Sequence, residues 1–164
     1  MFIFVACSPN PCSYGGTCIL ATLAPGYVCL CNIGLQGQNC EQFTAGQDCG
    51  QTFSEESGTV TSPGFPNTYT PNENCYYFIR IPHALSITIR FDTFITELDH
   101  DTLEISAGPS LLTGSSGILV FSGLSSIDPL TLNSNQIAIR WSTDDETQLQ
   151  GFSIQYFSGE PINY

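Results

Sequence analysis

Six cysteines fall within the first 40 residues, at Cys7, Cys12, Cys18, Cys29, Cys31 and Cys40. A segment this short buries too little apolar surface to fold on noncovalent contacts alone, so covalent staples must hold it. Two further cysteines follow, Cys49 and Cys75, and none lies beyond them. An even count at close spacing points to disulfides and an oxidising, extracellular setting. Spacing by itself leaves about 15 pairings open for six cysteines.

Charge divides the chain at the end of the cysteine-dense stretch. Residues 1 to 40 contain no Asp, Glu, Lys or Arg, while 15 acidic residues and three arginines lie between Glu41 and Glu160. There is no lysine, and the formal net charge is −12. Phosphate binding needs a Lys/Arg surface, so nucleic acid is excluded as a natural partner, and attraction to anionic membrane is disfavoured. No apolar run approaches the roughly 20 residues that a bilayer span requires, so membrane insertion is not expected. The apolar opening from Met1 to Ala6 is too short and too uncharged for a complete signal peptide. The chain is therefore expected to be a piece of a longer secreted protein.

The cysteine-rich stretch reads Cys12-Ser13-Tyr14-Gly15-Gly16-Thr17-Cys18, then Tyr27-Val28-Cys29-Leu30-Cys31, then Gly34-Leu35-Gln36-Gly37-Gln38-Asn39-Cys40. With all six cysteines and these glycine and aromatic positions, it resembles an EGF-like domain. The resemblance implies the pairs Cys7–Cys18, Cys12–Cys29 and Cys31–Cys40 over two small hairpins. Calcium-binding members carry acidic residues before the first cysteine. This chain has Met1 to Ala6 there, with Thr22 near the second ligand position, so no calcium is expected in this module. Thr17 matches the family's O-fucosylation position, and a plain exposed turn threonine is the alternative. Phe2, Phe4, Ile19, Leu20, Leu23, Ile33 and Leu35 are more apolar surface than so small a module can hide. They predict a covering neighbour.

Beyond Cys49 the pattern becomes short runs of period two. Residues 60–62, 75–81, 85–94, 102–107, 118–121, 136–141 and 152–156 read as strands, with Pro and Gly between them. The expected class is all-β, with a small disulfide-rich module followed by an antiparallel β-sandwich. This part carries Cys49-Gly50, Gly58 to Tyr69, Asn74 to Ile81, Phe91-Asp92-Thr93-Phe94 and Gly151-Phe152-Ser153-Ile154-Gln155-Tyr156. On these the second part resembles a CUB domain, which implies a Cys49–Cys75 disulfide. The usual second CUB disulfide is missing, so packing must hold the hairpin it would clamp. The expected divisions are 1–41 EGF-like, 42–48 linker, 49–158 CUB and 159–164 tail.

Asp92, Glu97, Asp99, Asp101 and Glu104 form one acidic group, and Asp144, Asp145 and Glu146 a second. Carboxylates held close favour a hard cation such as Ca²⁺. The CUB resemblance implies a Ca²⁺ site from Glu97, Asp101 and Asp144, supported by Tyr69, with Asp99 as an alternate ligand. Glu97 and Asp101 lie closer in sequence than their family counterparts, and a solvated acidic edge is the other reading.

Catalytic candidates are scarce. The resemblance assigns all eight cysteines to disulfides, and His83 and His100 have no nucleophile motif beside them. The expectation is a non-enzymatic extracellular interaction protein. A structural subunit of a matrix, coat or filament is favoured by the uncharged first module, through which the chain would self-assemble or meet other subunits. A calcium-dependent adhesion module gripping a basic side chain of a partner is the alternative. A non-catalytic fragment of a larger secreted protease is the third reading.

Overall fold

The computed structural model describes residues 6–13, 16–31, 35–43, 49–108, 111, 117–124 and 126–159. Phe2, Phe4, Ile33, most of the expected linker and the tail from Glu160 lie outside them.

The first module is two small hairpins. Strands β1 (Thr17–Leu20) and β2 (Tyr27–Leu30) pair antiparallel, as do β3 (Leu35–Gln36) and β4 (Gln42–Phe43). Cys7–Cys18, Cys12–Cys29 and Cys31–Cys40 are bonded, which ties both hairpins together.

The second module follows as β5 (Gly50–Phe53), β6 (Ser57–Thr61), β7 (Asn74–Arg80), β8 (Ile87–Ile95), β9 (Thr102–Ala107), β10 (Ile118–Phe121), β11 (Leu130–Leu132), β12 (Gln136–Ser142) and β13 (Gly151–Ser158). No α-helix occurs among the described residues. One sheet has the order β10-β9-β12-β7-β5 and the other β11-β8-β13-β6, packed as a sandwich. All pairings are antiparallel except β5 with β7. Cys49–Cys75 fastens that parallel edge at its start. There Gly50 has φ 135°, and a Cβ would lie 2.4 Å from the Tyr76 carbonyl oxygen, which excludes a side chain.

The core is the set of inward positions that period two supplies. Tyr77, Ile79, Leu103, Ile105, Ile137, Ile139 and Trp141 from one sheet meet Val60, Ile87, Ile89, Phe94, Phe152, Ile154 and Tyr156 from the other. Trp141 stands edge-on to Tyr69 and lies 5.3 Å from Phe152. A bulge in β8 resets the alternation: Ser153 faces Thr93 while Ile154 faces Phe91. Asp92 is thereby left without an opposite residue, and Phe91 and Phe94 both turn inward, 5.8 Å apart.

In an ordinary sandwich the outer face of a sheet is wet. Here β7 is buried on both faces from Cys75 through Ile79. The outward residues Tyr76, Phe78 and Ala138 form a second cluster with Leu35 and Cys40 of the first module, flanked by Cys29, Cys31 and Leu111. Leu35 is only 6 % exposed and Ala138 fully buried. The sequence predicts a neighbour covering the uncharged module. For this side of it, that neighbour is the chain's own second module.

Candidate functional site: an acidic loop cluster at one end of the sandwich

Tyr69 precedes β7, Glu97 and Asp101 lie in the β8–β9 connection, and Asp144 follows β12. One carboxylate oxygen from each of Glu97, Asp101 and Asp144 lies within 4.8 Å of the others. The four-residue separation of Glu97 and Asp101 is accommodated by a tight turn. The Asp101 N–H donates to the Glu97 carbonyl at 3.3 Å, and Asp99 takes φ 65° at the apex. One helical-type turn returns the chain to the same side, so both carboxylates point into one space. Asp99 is exposed, donates its N–H to Ser122 Oγ at 3.1 Å, and does not join the three.

Asp101 is fully buried. Its Oδ2 accepts the Tyr69 hydroxyl, and its Oδ1 accepts the Asp144 N–H at 3.0 Å. The Glu97 N–H donates to the Tyr69 oxygen at 3.2 Å. One phenol therefore touches both arms of the turn. Burial, then the hydrogen bond to Asp101, push the Tyr69 pKa up to about 12, so the phenol keeps its proton and remains a donor to the carboxylate. Thr96 fixes the base of the turn: its hydroxyl donates to the Asp101 carbonyl at 3.1 Å and accepts the Gly123 N–H at 2.8 Å.

Beneath the cluster lies a residue whose role sequence reasoning missed. Glu73 Oε2 accepts the Trp141 indole N–H at 2.6 Å, and its Oε1 accepts the Thr70 hydroxyl and N–H. The Glu73 backbone exchanges two bonds with Thr143, whose neighbour is Asp144. The loop before β7 is thus locked to the end of β12, which sets where Asp144 stands. Sequence carried no sign of this, because Glu73 and Trp141 are far apart in the chain. His100, weighed from sequence only as a catalytic base, instead stands at the cluster's edge, its Nδ1 3.0 Å from Asp144 Oδ2. Gly151, at φ 89°, lies against Ser62, and a Cβ there would come within 2.0 Å of Ser62 Oγ.

The donor set suits a hard divalent cation: three carboxylate oxygens, one of them on a fully buried aspartate. A further sign of fit is Glu97 Oε2, which is buried and has no hydrogen-bond partner. Neither arginine ion pair among the described residues touches the cluster, since Arg90 pairs with Asp92 and Arg140 with Glu104. His83 and His100 are both exposed, and Thr17 lies exposed at the start of β1.

A disulfide-stapled hairpin module docked on a sandwich with acidic end loops defines a class, that of modular extracellular interaction domains. The chain belongs to the CUB domain family: the family's model matches residues 49–156, and the EGF-like domain model matches residues 7–39. It is 33 % identical over 157 residues to fibropellin-1 of Strongylocentrotus purpuratus, covering 93 % of this chain and 14 % of that protein. It is 37 % identical over 114 residues to human procollagen C-endopeptidase enhancer 1, covering 66 % of this chain and 24 % of that protein. The chain thus spans a small part of these relatives. Its fold is similar to the MASP-1 CUB2 domain bound to Ca²⁺, with TM-score 0.59 and 28 % identity, over 67 % of this chain and 99 % of that one. EGF-like and CUB domains are generally non-catalytic extracellular interaction modules, and the disulfides place this chain outside the cell.

Proposed function

We propose that the chain is a non-enzymatic protein-interaction module, a structural subunit of an extracellular assembly, whose CUB domain binds Ca²⁺. The working units are 1–41, a linker at 42–48, the sandwich at 49–158 and a tail at 159–164. Glu97, Asp101 and Asp144 would hold the ion, with Tyr69 orienting Asp101 from behind and Asp99 left facing solvent. Bound calcium supplies positive charge that lets the three carboxylates stay close and ionised. The observation that carries the reading is the unpaired, buried Glu97 Oε2 beside two other carboxylates.

The remaining carboxylates at this end favour a partner that presents Lys or Arg. Similarity to an enhancer protein and to a MASP-1 domain fits a recognition role, either free-standing or inside a larger secreted protease. Thr17 is the candidate O-fucosylation site. Thermal unfolding with 10 mM calcium against chelator tests the site. Affinities typical of extracellular modules predict roughly 1.5–2.7 kcal/mol of added stability at about 10 mM calcium. An unchanged transition contradicts the reading.

A further inference from the structure

We infer that a slot in the second sheet, between β8 and the segment from Ser126 to Pro129, binds an extended peptide segment of a partner protein that carries a basic side chain. The inference deepens the partner named above, rests on the reading of this chain as an interaction module, and needs no calcium. Strand β11 pairs with β8 only where Leu130, Thr131 and Leu132 face Ile89, Thr88 and Ile87. Further along the same edge, Leu124 bridges Ile95. The two contacts keep one register, since from Ile89 to Ile95 and from Leu124 to Leu130 each chain advances six positions. No insertion separates them, yet the pairing between them is open. Ser126, Ile127 and Asp128 make no hydrogen bond to β8 among the described residues. Strand β13 lies along the other edge of β8, so it is the edge without a strand that faces the slot. Two features resist closure. Strand β8 bulges at Asp92, which bends it there. Pro129 has no N–H to give to a ladder.

The slot has a volume of about 520 Å³ and is lined by Asp92, Thr93 and Phe94 of β8, Ser126 and Ile127 of the facing segment, and Gln150. Alternate residues along an unpaired strand edge present their N–H and C=O groups to whatever lies beside it. Those groups select extended polypeptide, which satisfies them by adding as a strand, whereas an apolar side chain alone would leave them unmet. Charge selects the side chain that this segment carries. Asp92 Oδ1 accepts Arg90 Nε at 3.1 Å, and Oδ2 has no hydrogen-bond partner among the described residues. Arg90 itself reaches to Gln155 of β13 at 2.9 Å, on the side away from the slot. A free carboxylate oxygen at this opening, on a chain of net charge −12, attracts Lys or Arg and repels an acidic segment. A second copy of this chain does not supply the basic residue. It has no lysine, and its three arginines lie within the paired strands β7, β8 and β12. The partner is therefore a different protein.

Amide chemical shifts of the full ¹⁵N-labelled chain, titrated with acetyl-Val-Lys-Val-amide in chelator and again in calcium, test this. A short segment on an open site predicts a dissociation constant on the order of 1 mM. Shifts should be confined to residues 91–95, 126–128 and Gln150, with the same affinity in both conditions. The peptide with methylated backbone nitrogens, and separately the peptide with Glu in place of Lys, should each bind about tenfold more weakly. Asp92→Asn should weaken the Lys peptide about fivefold, and Ser126→Trp, on the exposed wall, should block the slot. Glu56→Gln, an exposed acid in the β5–β6 turn, should leave binding unchanged. The dispersion of the same spectra verifies folding of each variant. Absence of shifts in the slot, equal binding of the methylated or the Glu peptide, equal loss in Asp92→Asn and Glu56→Gln, or binding only with calcium would overturn the inference. Failure of the calcium site would appear separately, as no calcium-induced shift at residues 97–101 and Asp144, with peptide binding unaffected.

Discussion

Asp101 Oδ1 accepts the backbone N–H of Asp144 at 3.0 Å. Two stretches more than 40 residues apart are thereby held in one register, and the buried carboxylate of one positions the side chain of the other. Because Asp101 spends its second oxygen on the Tyr69 hydroxyl, its orientation is fixed from both sides. Groups behind a ligand set its direction and so its affinity. Tyr69→Phe keeps the ring against Trp141 and removes only the hydroxyl. Calcium affinity should fall about tenfold with the fold intact. Competition with a chromophoric chelator measures this, and an unaltered affinity would remove Tyr69 from the site.

Glu73 is the buried carboxylate on which the loop before β7 and the sole tryptophan both depend. Glu73→Ala leaves the fully buried Trp141 N–H without an acceptor. That should destabilise the chain by about 2 kcal/mol in urea unfolding. Glu73→Gln, which retains an amide oxygen, should lose less. Equal stability of all three proteins would refute the assigned role.

The Tyr77 hydroxyl donates to the Thr61 carbonyl at 3.1 Å, and burial pushes its pKa well above the ordinary tyrosine value, with Glu73 adding to the shift. Burial also raises Tyr156. A raised folded pKa means that the stabilisation is present below about pH 10, where an unfolded tyrosine is still protonated, and is lost as pH climbs toward the folded value. Rapid pH-jump absorbance should resolve exposed tyrosines ionising first and Tyr77 only as the chain opens. Tyr77→Phe should reduce the slow component by about one tyrosine's amplitude, leaving the part due to Tyr69 and Tyr156. A single transition near pH 10 for all tyrosines would contradict this.

Ala138 is fully buried beneath the first module. Ala138→Glu inserts a charge into that dry contact without touching the inward core. The modules should separate, seen as faster proteolysis between Cys40 and Cys49 and a larger radius of gyration, while tryptophan fluorescence stays constant. Unchanged cleavage would mean that the contact contributes little to holding them together.

Strands were legible where one face is apolar and the other polar, as in residues 136–141, because period two reports the sheet directly. Strand β11 has only three residues, and β5 starts beside a disulfide and pairs parallel, so neither supplied enough alternation to be seen. The run Cys75-Tyr76-Tyr77-Phe78-Ile79 did carry a sign of burial on both faces, since unbroken apolar strands belong to covered sheets. It could not say what covers them. The acidic residues were visible as two groups, and the CUB pattern picked out the three that the fold brings together. The role of Glu73 and the pairing of His100 with Asp144 were not found, because both contacts are tertiary and carry no local signature.

Calcium titration by isothermal calorimetry, on the wild-type chain and on Asp101→Asn, tests the central claim most directly. The account predicts one ion per chain with a dissociation constant of about 10⁻⁴–10⁻³ M, or tighter, for the wild type, and loss of measurable binding in the variant. No heat from the wild type at millimolar calcium, or equal binding by both proteins, would contradict it.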